Sequence, residues 1–245
     1  MKHSTDFEDS AERGRAAHEV LAGGGEMGVL IRATDWSKTA IGAVEDWPQS
    51  LRTSVSILLE SRFPMYIAWG PDFVQLYNDG YRPILGSTKH PAAMGRSTRE
   101  TFAEIWHIIG PMFEGVMQGR AVGLTDFLLP LDRHGFTEEC YFIVSYSPIR
   151  DESAGVGGVL VTVNETTDRI LGERRLRTLR DLVARAGAEK REEEAWREAA
   201  QALEGNAFDI PFALLYRQDD ADAPPELAAT AGWGADPDAA LALFG

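Results

Sequence analysis

The stretch that decides the fold is Glu139-Cys140-Tyr141-Phe142-Ile143-Val144-Ser145-Tyr146-Ser147. Cys140, Phe142, Val144 and Tyr146 point one way, and Tyr141, Ile143 and Ser145 the other. A period of two is a strand, because successive side chains in extended backbone alternate across a sheet. Two similar runs flank it. Thr125 to Leu131 puts Thr125, Phe127, Leu129 and Leu131 on one face, and in Val156 to Asn164 the residues Val159, Val161 and Val163 alternate with Leu160, Thr162 and Asn164. The connectors Asp132-Arg133-His134-Gly135 and Asp151-Glu152-Ser153-Ala154-Gly155 have the composition of turns.

Upstream, Met65-Tyr66-Ile67-Ala68-Trp69 and Phe73-Val74-Gln75-Leu76-Tyr77 surround Gly70-Pro71-Asp72 and read as a hairpin. Short helical turns follow from Asn78, punctuated by Gly86, Pro91 and Gly95. A longer helix is expected from Ser97 to Gln118, kinked at Gly110-Pro111, with Phe102, Ile105, Ile109, Phe113 and Val116 on its packed side. Two strands, helices, then three strands predict an α+β domain over residues 62–167. Its five-stranded antiparallel sheet has the helices gathered on one face, since an apolar sheet face must be covered.

Around this centre the chain changes character. Residues 1–27 are a polar, acidic tail broken at Gly23-Gly24-Gly25. Residues 28–61 form a helical extension: Pro48 suits a first helical turn, Asp46 is placed to cap it, and Leu51, Val55, Leu58 and Leu59 make one stripe. Residues 168–204 are charged and rich in Ala and Leu, hence helical. Leu176, Leu179, Val183 and Ala186 follow coiled-coil spacing over about two heptads, with a break at Gly187 and a new rhythm at Trp196, Ala199, Ala200 and Leu203. Residues 205–245 turn to strand, Ile210 to Tyr216 and Leu227 to Trp233, and read as the opening of a further α/β domain.

Composition narrows the function. The 245 residues carry 24 Lys and Arg against 38 Asp and Glu, a net charge of −14 that disfavours nucleic acid and anionic membrane as partners. No run reaches the roughly 18–20 apolar residues of a membrane span, and the acidic N-terminus lacks a signal-peptide core, so a cytoplasmic protein is expected. Cys140 is the only cysteine and cannot form an internal disulfide or a Cys-rich zinc site. Gly155-Val156-Gly157-Gly158 precedes a strand and reads as a turn, not a phosphate cradle. His18-Glu19 lacks the residues that would make it a phosphoacceptor, and no ATP lobe, hydrolase elbow or zincin helix is present. An enzyme is not expected.

The order of elements resembles a PAS sensor domain of the kind near the N-terminus of bacterial two-component histidine kinases. The matching residues are Asp35-Trp36-Ser37, Trp47-Pro48-Gln49-Ser50-Leu51, Phe63-Pro64-Met65, Trp69-Gly70-Pro71, Tyr77-Asn78-Asp79, Leu85-Gly86, Lys89-His90-Pro91, Glu104-Ile105-Trp106, Tyr146-Ser147-Pro148-Ile149-Arg150 and Glu165-Thr166-Thr167. The last triplet is similar to the Asp-Ile-Thr with which PAS domains hand over to an output helix. Asp209 to Tyr216 resembles the first core strand of a GAF domain.

The resemblance implies a sensory input module, or alternatively a dimerisation module that holds no ligand. It places Trp69, Tyr77, Trp106, Phe127, Phe142 and Tyr146 around a cavity, unless they simply fill the core, and it gives Asn78 either a ligand role or a helix cap with Asp79. It assigns signal transfer to Glu165, Thr166 and Thr167, with Glu165 pairing with a nearby arginine such as Arg169 or Arg150. No cofactor is required. His107 sits where some PAS proteins ligate haem, and Asn78 to Arg99 lacks the cysteine of a flavin-adduct photoreceptor. A homodimer, a small-molecule ligand and a downstream kinase or other output domain are the partners implied.

Overall fold

The computed structural model describes residues 21–218 and 223–232. Two compact units divide the chain, Met1–Thr167 and Asp168–Gly245. In the first, helices α1 (Gly25–Ala33) and α2 (Gln49–Glu60) precede strands β1 (Met65–Trp69) and β2 (Val74–Tyr77). Helices α3 (Arg82–Lys89), α4 (Thr98–Thr101) and α5 (Trp106–Met117) then lead to β3 (Val122–Asp132), β4 (Thr137–Arg150) and β5 (Val156–Glu165). The strands make one antiparallel, five-stranded sheet in the order β2-β1-β5-β4-β3. First and last strands therefore meet at its middle, which no hairpin motif in the sequence announces.

Register sorts the side chains. Tyr66 stands opposite Tyr77 on one side and Val161 on the other, and Val161 opposite Tyr146. These residues share a face with Val144 and Val163, and α3 to α5 cover it: Phe113 of α5 lies 5.1 Å from the Tyr146 ring and 6.4 Å from Tyr66. The opposite face is not bare. Ile67 and Leu76 point there and are fully buried, as are Leu51, Val55 and Leu58 of α2, which packs against β1, β2, β4 and β5. The helices within residues 62–167 gather on one face as expected, while the helix of the 28–61 extension takes the other. Both faces of the central strands are apolar, and the amphipathic helix of the extension covers the second. That face reaches solvent at Leu128, Ile143 and Asn164.

Two distant residues pin α2. Its N-terminal amide, at Ser50, is capped by Glu152 Oε1 at 2.7 Å from the β4–β5 turn, not by Asp46, which belongs to a short 3-10 turn. Asn78 takes the other end: its Nδ2 donates toward the carbonyls of Leu58, Ser61 and Phe63, while Oδ1 accepts from the amides of Met65 and Tyr81. Asp79 caps α1 through Met27 N at 3.1 Å. The expected helix from 97 to 118 is two helices. It breaks at Phe102–Ile105, whose side chains are both buried, and runs on through exposed Pro111. Gly110 leaves room for the Trp106 indole, which a Cβ would meet at 2.8 Å.

In the second unit, α6 (Thr167–Ala186) ends before Gly187, and α7 (Glu192–Glu204) packs Ala199, Ala200 and Ala202 toward the antiparallel pair β6 (Ala213–Arg217) and β7 (Glu226–Ala231). Arg174 of α6 grips Asp209 through two bonds of 2.9 and 2.7 Å, and Asn206 bridges Asp209 to Thr178. Leu176, Leu179 and Val183 are exposed along α6. Residues 1–20, and with them His18-Glu19, lie outside the described residues, as does Trp233 at the end of the second expected strand.

Candidate functional site

Glu165 ends β5, and Thr167 opens α6. Counting by twos from Val161 and Val163 turns the Glu165 side chain to the helix-covered face of the sheet. There it meets Arg133, from the turn after β3. The guanidinium fork donates to both carboxylate oxygens, at 2.8 and 2.9 Å, and its Nε donates to Glu138 at 3.1 Å. The backbone of this turn is itself held. The Arg133 carbonyl accepts from the amides of Ser87 and Thr88, and Gly86 (φ 62°) comes so close that a Cβ would stand 2.2 Å from it. Only glycine fits there, in conformation and in space.

The rest of the triplet is fastened too. Thr167 Oγ1 donates to Glu165 Oε1 (2.8 Å) and accepts from Tyr141 N (3.0 Å). Thr166 N donates to the Tyr141 carbonyl, and its hydroxyl donates to Asp126 Oδ1 at 2.9 Å, in the bulge of β3. Burial pushes the Glu165 carboxyl up, and the bonds from Arg133 and Thr167 more than offset it, holding it below the ordinary carboxylate range. Bidentate, charge-assisted pairs of this kind are directional as well as strong. Arg133, not Arg169 or Arg150, is the partner of Glu165. Arg169 bonds Glu173 one turn along α6, and Arg150 lies at the far end of β4, against the Ala154 carbonyl.

A second feature lies in the core between sheet and helices, a small space of about 30 Å³. Its walls are aliphatic and aromatic, among them Ile84, Phe102, Ile105, Leu129 and Phe142. Tyr66, Tyr81 and Tyr146 bring their rings to it, and each is at most 4% exposed. Burial raises all three phenols above their ordinary value.

Of the aromatics nominated from sequence, Phe142 and Tyr146 line this space. Trp69 points to the opposite face and lies over Gly157 and Gly158. Tyr77 is buried and bonds His90 Nδ1 at 3.0 Å. Trp106 packs on Phe73 and Phe113, Phe127 is half-buried beside the bulge, and Asn78 is the structural hub described above. His107 is exposed on α5 and does not face the cavity. Cys140 is fully buried near Arg133, its thiol pushed up by burial to about 11. Tyr66, Tyr81 and Arg133 are the residues that sequence reading missed. Arg133 stood in a run read only as a turn, while the strand alternation already placed Tyr66 opposite Ile67. Among the described residues, no cluster of three or more His, Cys, Asp or Glu is arranged to hold a metal ion, and no helix is long and apolar enough to cross a membrane.

No family model matches the sequence, and no curated protein does. Solved structures are similar to it. A sensory box sensor histidine kinase from Vibrio cholerae is 18% identical over 47% of this chain and 91% of its own, with a TM-score of 0.34. A variant of RsLOV is 15% identical over 57% and 78%, with a TM-score of 0.40. An RNA-binding Light-Oxygen-Voltage receptor is 14% identical over 77% and 71%, with a TM-score of 0.38.

Proposed function

We propose that this chain is a sensory input module of a two-component signalling protein, without catalytic activity of its own. The first unit senses a small molecule or partner, and its state passes through the 165–167 triplet into α6. The observation that carries the reading is the bidentate Arg133–Glu165 pair at the point where the last strand becomes the helix. Three separate stretches, at Asp126, Arg133 and Tyr141, hold this triplet, so a shift of any of them is felt at the first turn of α6. For a stimulus to act, it must bind the two arrangements with different affinity. The second unit is read as GAF-like, with a kinase or other output domain as the signalling partner.

Amide hydrogen exchange on the full chain tests the relay. Arg133→Gln is expected to speed exchange over residues 167–175 while leaving β1 and β5 protected. Unchanged exchange there removes the clasp from the mechanism.

A second reading, a homodimerising interaction module with no ligand, is favoured by the small size of the core cavity and by the exposed Leu176, Leu179 and Val183. Sedimentation of the full chain separates the two. A dimer that Leu179→Glu dissociates, with no small-molecule response, supports assembly alone.

A further inference from the structure

Helix α6 has two unlike faces. Arg174 and Thr178 point to the body of their own unit, where Arg174 grips Asp209 and the Thr178 hydroxyl accepts from Asn206. On the other side Leu176, Leu179 and Val183 are 68%, 58% and 73% exposed, in a row spaced three and four residues apart. Large aliphatic side chains lined up in water mark a surface that another surface covers. Ala186 follows at the same spacing, so Leu176 and Val183 take the a positions of a heptad, and Leu179 and Ala186 the d positions. That fixes the flanks: Asp168, Arg175 and Leu182 stand at g, Glu173 and Arg180 at e.

The flanking charges choose an orientation. In a parallel pair each g position meets the e position five residues on in the other helix. Asp168 would then face Glu173, and Arg175 would face Arg180, like charges in both cases. In an antiparallel pair e meets e and g meets g. With Leu176 of one helix opposite Leu179 of the other, Glu173 lies beside Arg180, twice by symmetry, and Arg175 lies beside uncharged Leu182. Glu173 and Arg180 are 57% and 74% exposed, and both now bond exposed neighbours on their own helix, Arg169 and Asp181.

We propose that α6 is a self-association surface that pairs antiparallel with α6 of a second copy of this chain. This rests on the homodimerising reading and goes beyond it by fixing the orientation. A pair centred between Leu176 and Leu179 keeps the two Thr167 ends about 30 Å apart, at a rise of about 1.5 Å per residue. Each 165–167 triplet then acts on its own helix. A seam of two heptads is short of the roughly 1,000 Å² of a stable interface, so the dimer is weak and concentration-dependent.

Sedimentation equilibrium of the full chain over a range of concentrations is the test, with charge reversals at these exposed positions. Arg180→Glu sets two acidic groups together in the antiparallel pair and is expected to weaken the dimer by roughly threefold to tenfold. In a parallel pair the same change would face Arg175 and tighten it. Glu173→Arg is expected to weaken the dimer likewise, and the two changes together to restore it, because the reversed pairs are again opposite in charge. Four outcomes overturn the proposal: a chain that stays monomeric, a dimer that Leu179→Glu leaves intact, an Arg180→Glu dimer as tight as the original or tighter, or a double change that restores nothing. The first also removes the homodimerising reading. The second leaves a dimer formed through another surface, and the last two leave one whose helices do not run antiparallel.

Discussion

Arg133 and Glu165 lie 32 positions apart in sequence and form a two-bond fork at 2.8 and 2.9 Å, with the arginine side chain 12% exposed. Removing one partner leaves a largely buried charge with nothing to balance it. Arg133→Ala is expected to lower stability by about 2 kcal/mol, below the full cost of breaking a completely buried pair. Arg133→Met combined with Glu165→Leu is expected to cost less than either single change, because Glu165 is no longer stranded and Glu138, the other carboxylate on Arg133, keeps its contact with His134. Denaturant midpoints of the unchanged chain, Arg133→Ala, Arg133→Met, Glu165→Leu and the double change check both statements. Since the Glu165 carboxyl is held below its ordinary value, its contribution is full at neutral pH and is lost as pH falls through the folded-state value.

Asn78, at 1% exposure, joins α2 to both ends of the β1–β2 hairpin. Asn78→Ala is expected to cost about 3 kcal/mol, since it orphans several buried backbone groups at once. Asn78→Asp keeps the acceptor for Met65 N and Tyr81 N, but turns a second oxygen toward three carbonyls, and is expected to be no better. Equilibrium unfolding measures both.

Gln75 is fully buried on β2, and neither its side-chain oxygen nor its nitrogen has a partner. Its backbone bonds to Gly95 and Arg96 close the edge of the sheet and do not depend on the side chain. Gln75→Met, similar in length and without the polar atoms, is expected to stabilise the protein by about 1 kcal/mol. A lower denaturation midpoint would mean that the amide has a partner when the protein is in solution.

Asp209 is held at about 2 by the Arg174 fork, against an ordinary value near 3.8. A carboxyl with a depressed folded-state value stabilises above its unfolded value and loses that effect as pH falls through the folded one. The second unit is therefore expected to loosen between about pH 4 and pH 2. Arg174→Gln should raise the folded-state value toward the ordinary one, so that the loss is complete at higher pH and is smaller. Amide exchange over residues 170–210 as a function of pH reports the change.

Glu152 caps α2 from the β4–β5 turn, 102 positions away. Glu152→Ala is expected to speed amide exchange at Ser50 and its neighbours with little effect on the sheet. An unchanged rate at Ser50 would leave the cap without energetic weight.

How much of this was legible beforehand differs by element. The strands at 139–147 and 156–164 were readable because a strand writes a period of two into its own residues, and the one at 65–69, apolar on both faces, from its aromatic-rich run beside the Gly70-Pro71-Asp72 turn. The α2 stripe was readable for the same local reason. Whether residues 97–118 form one helix or two was not, because burying both Phe102 and Ile105 broke the helix there instead of at Pro111. Glu165 was singled out from its place at the junction, but its partner was sought nearby along the chain and lies in a distant turn.

The alternation of apolar and polar residues determined which segments are strands, which helix is amphipathic and where the strand-to-helix junction falls, since each depends on neighbours a few positions apart. Only the tertiary structure decided that β1 and β5 lie side by side, that α2 covers the second face, that Arg133 answers Glu165 and that three tyrosines line one small space. Those outcomes are set by which distant surfaces exclude water and pair charge together, and no local periodicity encodes such a choice.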